Sequence, residues 1–161
     1  MRQLRHKSGI GLLELMFSLA IIAVLLILAS RYYQTARTGQ QVNEAANMIN
    51  NVYTAANDWI QNHDSFQPTE SCEPENNMIC DFVGNGTVPA DFSGATSNPW
   101  GGNIAAIGSG ATQLKVTMSN VPVTACQNLI AKFVGKVSTV SSATCEDSTA
   151  STTTLNVIFN F

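Results

Sequence analysis

Apolar and polar residues alternate in three different ways along this chain, and each pattern predicts a different element. Positions 15–30 hold sixteen residues without a charge. Residues 10–30 are long enough, at ~1.5 Å per residue in a helix, to cross a hydrocarbon core of ~30 Å. Further on, Val42, Ala45, Ala46, Ile49, Val52, Tyr53, Ala56, Trp59 and Ile60 recur at steps of three and four. That spacing makes one apolar face of an amphipathic helix. Asn43, Glu44, Asn47, Asn50, Asn51, Asn57 and Asp58 fill much of the other face. A single helix is therefore predicted over about 12–62, with Gly39 as a weak point. No proline lies between positions 10 and 67, so no proline kink is available. Phe66-Gln67-Pro68 is expected to end the helix, because a residue before proline disfavours α geometry.

After His63 the texture changes. Residues 67–98 carry Pro68, Pro74, Pro89, several Asn and Gly, and Cys72 and Cys80. They read as a long connection with little periodicity. Asn98-Pro99-Trp100-Gly101-Gly102-Asn103 is a tight-turn signal. Ile104-Ala105-Ala106-Ile107 and Gln113-Leu114-Lys115-Val116-Thr117-Met118 flank a Gly/Ser turn, which predicts a β-hairpin. Val121-Pro122 introduces a helix over about 123–134, with Cys126, Leu129, Ile130 and Phe133 on one face. The run 138–154 is dominated by Ser and Thr and reads as edge strand and surface loop. Leu155-Asn156-Val157-Ile158-Phe159-Asn160-Phe161 closes the chain as a strand. A long helix followed by antiparallel strands is an α+β pattern.

Charge refines the first element. Arg2, Arg5, His6 and Lys7 precede Gly9, and one carboxylate, Glu14, enters the apolar segment. A charged carboxylate at mid-bilayer costs about 2.5–3.5 kcal/mol on insertion scales. A plain anchor or signal has no use for that cost, whereas a subunit that meets a partner inside the bilayer does. A basic region followed by an apolar run also begins a secretory signal. Here the apolar helix continues to Ser30 without a break, and Ala29-Ser30-Arg31 is a poor small-x-small cleavage site.

The string Gly9-Ile10-Gly11-Leu12-Leu13-Glu14-Leu15-Met16 resembles the prepilin processing site of type IV pilins. Ile10 departs from the usual Phe or Met, and Gly11 from the usual Thr; the glycine and the glutamate are kept. The resemblance implies cleavage after Gly9 by a prepilin peptidase that also methylates the new amine of Ile10. It gives Glu14 the role of pairing with the N-terminal amine of a neighbouring subunit during assembly. It implies a ladle-like α+β fold, the long N-terminal helix packed on an antiparallel sheet head. Residues 1–9 are then a cleaved leader and 10–30 a transmembrane and fibre-core helix. Residues 31–66 form the amphipathic half and 67–161 the head. The Asn-Pro-Trp-Gly-Gly turn, the hairpin and the Val-Pro-x-x-x-Cys helix start look like the type IVb branch. The implied function is a structural subunit of a fibre. A type II secretion pseudopilin and a minor pilin or tip adhesin are the alternatives. The expected partners are the peptidase/N-methyltransferase, other copies of the chain, the inner membrane before assembly, and the pilus assembly machinery.

Within that resemblance the leader's charge places the N-terminus in the cytoplasm by the positive-inside tendency. The head is then periplasmic and later extracellular, where disulfides persist. Four cysteines allow three connectivities. The expected pairs are Cys126–Cys145, which resembles the bridge closing the C-terminal region of pilins, and Cys72–Cys80. A zinc site is the rival, but the spacings are not C-x-x-C. Removing the leader takes three of eight basic residues and leaves five against eleven acids, a formal charge of −6. That balance argues against nucleic-acid binding through bulk charge. Glu70, Glu73, Glu75 and Asp81 cluster without EF-hand spacing and read as an exposed acidic loop rather than a Ca²⁺ site. His63, Trp59 and Trp100 read as capping and packing residues. No motif places Ser, His and Asp together, so no enzyme and no cofactor is expected.

Overall fold

The longest element follows from the absence of helix breakers. In a computed structural model describing residues 11–69, 76–94, 97–109, 111–134, 138–146 and 151–161, helix α1 runs over Leu12–Ile60 without interruption at Gly39. The chain divides into two compact units between Thr38 and Gly39. In the first unit every described residue from 11 to 37 is exposed. In the second, α1 buries Val42, Ala45, Ala46, Met48, Ile49, Val52, Ala55, Ala56 and Trp59, the stripe its periodicity predicts.

The helix stops earlier than the proline signal implies. Its last turn is closed by its own side chains. The Asn62 amide donates to Trp59 O at 3.0 Å, and His63 Nδ1 lies 3.1 Å from the same carbonyl. The His63 ring stacks on the Trp59 indole at 3.7 Å, nearly parallel. The Trp59 indole N–H donates to Ser65 O at 3.0 Å and turns the chain back. Pro68 therefore lies beyond a helix already ended.

The head sheet has four antiparallel strands. They are β1 (Ile104–Gly108), β2 (Gln113–Pro122), β3 (Val140–Glu146) and β4 (Thr152–Asn160), in the order β1-β2-β4-β3. On β2, Leu114, Val116 and Met118 are buried at every second position and face Phe159, Val157 and Leu155 of β4. Strand alternation sends these residues to one face, into the same core cluster as Ile49, Val52 and Trp59 of α1. Strand β2 extends past Met118 through a bulge, where Asn120 adopts φ 59°. Asn tolerates that left-handed conformation better than most residues. At one sheet edge, Asn77 forms a bridge opposite Ile107. Its Oδ1 accepts from the amides of Ile79 at 3.2 Å and Ala106 at 2.9 Å. This contact covers part of β1, whose free edge would otherwise be a template for pairing. Gly108 lies so close to the Phe66 carbonyl that a Cβ there would collide with it.

The connection after α1 is not without structure. Helix α2 (Ile79–Gly84) and a 3₁₀ turn (Ala90–Ser93) occupy it. Both are too short for a helical period to show in sequence. Ile79, Phe82 and Phe92 anchor them by burial. Asp81 is buried as well, and accepts from the Thr69 amide at 3.1–3.2 Å and from the Thr69 hydroxyl.

Helix α2 is followed in the helical order by α3 (Val123–Phe133), which starts at Pro122 and buries Ala125, Cys126, Leu129 and Phe133. Cys126 is bonded to Cys145 on β3, with Cα atoms 6.3 Å apart. Cys80 is also disulfide-bonded; Cys72 lies outside the described residues. The Cys126–Cys145 bridge ties the edge strand to the helix behind it. Replacing both cysteines by alanine should cost about 3 kcal/mol, the chain-entropy value for a loop of this size. The expected reading is a fall of roughly 10 °C or more in the Tm of the detergent-solubilised chain. A Tm unchanged within error would show that the bridge adds nothing to the head.

Candidate functional site

The N-terminal part of α1 combines an uncovered apolar surface with a single acid. Leu12 is 80% exposed, and Leu13, Met16, Phe17 and Leu26 each exceed 60%. A contiguous exposed patch of this size marks an interaction surface. Its polar groups are suited to apolar surroundings. The Ser18 hydroxyl donates to Leu15 O at 2.9 Å, and the Ser30 hydroxyl to Leu26 O at 2.8 Å. Thr35 and Thr38 return theirs to Arg31 O and Gln34 O in the same way. These four Ser and Thr hydroxyls therefore need no water.

Glu14 differs. It lies in the first turn of α1, where its amide donates to Gly11 O at 3.0 Å. A carboxylate there complements the positive end of the helix dipole. Among the described residues its side chain has no partner. Gly9 and Ile10 lie outside the described residues. A carboxylate on an apolar helix is thus available for a cation brought by another molecule.

The head adds the turn that the sequence marked at Asn98. Asn98 is buried and uses its whole amide. Its Oδ1 accepts from the amides of Trp100 at 2.9 Å and Gly102 at 3.0 Å. Its Nδ2 donates to Ser119 O at 2.6 Å and Asn103 O at 3.3 Å. Gly101 turns at φ 76°, and Gly102 sits against the Ser119 backbone too closely for a Cβ. Asn120 Nδ2 donates to Trp100 O, and Gln41 Nε2 to Pro99 O. The turn is thereby fastened to the β2 bulge and to the head part of α1. The sequence signalled the turn but not the asparagine's role, because Ser119 is far away along the chain. Asn98→Ala leaves buried donors and acceptors unpaired, at about 1–3 kcal/mol each. The expected loss is about 3 kcal/mol or more, measured as reduced stability to urea. Wild-type stability in this variant would show that the turn is held by its glycines alone.

Among the described residues, two cavities in the head can be outlined. One, of about 320 Å³, is lined by Trp59, His63, Phe82 and Thr87 among others. The other, of about 460 Å³, lies beside Asn43, Asn47, Asn50 and Lys132, and Lys132 Nζ donates to Asn43 Oδ1 at 2.8 Å. Among the described residues no three His, Cys, Asp or Glu side chains converge as a metal site would need. Glu70, Glu73 and Glu75 lie outside those residues, and buried Asp81 is occupied by Thr69.

The family described as the prokaryotic N-terminal methylation motif matches residues 4–30. This is the prepilin motif, and its span takes in Gly9, Ile10, Glu14 and the apolar run. No curated protein matches the chain.

Proposed function

We propose that this chain, which carries the motif of pilin- and pseudopilin-type prepilins, is the structural subunit of a type IV pilus. The observation that carries the reading is an exposed apolar helix with Glu14 in its first turn, inside a matched prepilin motif and continuous with a disulfide-closed sheet head. The leader remains on the cytoplasmic side and the head enters the periplasm. A prepilin peptidase hydrolyses the Gly9–Ile10 peptide bond. Water supplies the new Gly9 carboxylate and the new Ile10 amine. An α-amine of ordinary pKa, about 7.7–8.0, is largely protonated at neutral pH. Transfer of a methyl group from a sulfonium donor, which leaves as the thioether, to the unprotonated amine releases one proton and keeps a basic nitrogen. The ammonium is a cation that did not exist in the precursor, and Glu14 of an adjacent copy is its natural partner in an apolar interface.

Assembly then needs no catalytic group in this chain. Exposed helices leave the bilayer and pack on one another, and the heads form the outer surface of the fibre. The Asn98 turn, the hairpin and the helix start at Pro122 support the type IVb branch within this reading. The acidic balance of the processed chain gives no support to a direct nucleic-acid role.

Mass spectrometry of sheared surface fibres tests the proposal. The expected result is this chain as the dominant component, beginning at a methylated Ile10. Trace abundance in the fibres would assign it to a minor, tip or adhesive subunit. Absence from surface fibres, with processed chain retained in the envelope of a secreting cell, would assign it to a secretion pseudopilin.

A further inference from the structure

We propose that Arg31, Tyr32 and Tyr33 form a collar at the lipid–water boundary that fixes the depth of the helix, and so holds Glu14 at the opposite boundary rather than within the hydrocarbon. The inference rests on the reading of residues 10–30 as membrane-spanning before assembly.

Three observations carry it. First, Tyr32 is 80% and Tyr33 68% exposed, and they follow directly on the end of the uncharged run. Tyr rings and Arg side chains favour the headgroup level, where an apolar body and a polar tip are both accommodated. Second, three consecutive helical residues point about 100° apart. They spread over about 200° of the circumference instead of forming a stripe. A seam against another helix requires the three- and four-residue spacing that Val42, Ala45 and Ile49 show. Third, the lengths agree. From Glu14 to Tyr32 is eighteen residues, or ~27 Å at ~1.5 Å each, against a hydrocarbon core of ~30 Å. With the tyrosines at one boundary, the Glu14 backbone falls about 3 Å short of the other, a gap its side chain closes by extending to the interface. There it stays hydrated, and the cost of a charge at mid-bilayer does not arise. The collar therefore sets the level at which the Glu14 carboxylate waits for its partner.

The test uses the full chain in cell membranes, with one added cysteine as a probe for a membrane-impermeant maleimide. Gln34→Cys probes the collar side, and Phe17→Cys the Glu14 side. Both are made with and without Arg31→Leu, Tyr32→Leu and Tyr33→Leu together. The leucines lengthen the apolar run at its collar end, so the helix should shift toward the Glu14 side. Labelling of Gln34→Cys should then fall about tenfold, since a thiol taken out of water loses its thiolate form. Labelling of Phe17→Cys should rise. Equal labelling of both probes with and without the collar, in carbonate-resistant membranes, would overturn the proposal. A change seen only in assembled fibres would assign the three residues to a subunit interface and overturn it as well. Release of the parent chain by carbonate would overturn the membrane-spanning reading, and the collar with it.

Discussion

Gly9→Ala should leave the chain at its full length in the membrane when it is coexpressed with a prepilin peptidase. The parent should lose ~1 kDa, the mass of a short processed leader. The reason lies in the backbone. A proteolytic site binds its substrate extended, and glycine lets other atoms approach the chain where a Cβ would stand. In the proposed processing the scissile bond follows Gly9, between the basic leader and the apolar run, and would lie at the membrane surface. A Cβ there is expected to slow cleavage tenfold or more, which corresponds to about 1.4 kcal/mol or more in the transition state. Fibre yield should fall with it, because little Ile10 amine is released for Glu14 to meet. A mature N-terminus at Ile10 in the Gly9→Ala chain would show that the cut does not need glycine and overturn this reading of Gly9. So would a parent chain that begins near Arg31, which would make the segment a secretory signal.

The parts of this molecule that depend on local spacing were legible in the sequence. Val42, Ala45, Ile49, Val52 and Trp59 declare the head-facing side of α1 by period alone. Cys126, Leu129 and Phe133 do the same for α3, and the Gly/Ser turn between Ile107 and Gln113 marks the hairpin. The prepilin motif over residues 4–30 is legible for the same reason, since its meaning is in its spacing. What stayed hidden depends on partners far along the chain. Asn77 looks like any loop asparagine until β1 lies beside it. Asp81 reads as one of a cluster of surface acids, yet it is buried against Thr69. The end of α1 agrees with the predicted 12–62 to within two residues, but Pro68 is not what ends it. The Trp59–His63 stack and the Trp59–Ser65 bond end the helix first, and they exist only once the chain has turned. Helix α2 is too short to carry a period, and the burial of Ile79 and Phe82 secures it. Strand β2 passes Asn120 by a bulge that the sequence Asn-Val-Pro disguises as a break.

Glu14→Ala should insert and be cleaved as the parent is, and should yield few or no fibres. Removing a charge from an apolar helix only eases insertion. If the collar holds the carboxylate at the bilayer surface, even that gain is small. Assembly is another matter, because there the helix leaves the lipid and packs among other helices. In that interface the Ile10 ammonium of each copy is deprived of its carboxylate. Removing one side of a buried ion pair costs about 3–5 kcal/mol, mostly because the remaining charge is left unpaired. A single such loss reduces a binding equilibrium by a factor of a hundred or more. A growing fibre meets it again with every subunit, so the yield should collapse rather than decline in proportion. Glu14→Gln separates charge from shape. It keeps the length and two hydrogen-bonding groups but not the pair, and it should recover little of the yield. The measurement is the mass of sheared fibre per unit of processed chain in the membrane, for the parent and both variants. Normal fibre yield from Glu14→Ala at matched membrane levels would make Glu14 a bystander. Normal yield from Glu14→Gln alone would show that the site needs a hydrogen bond and not a charge.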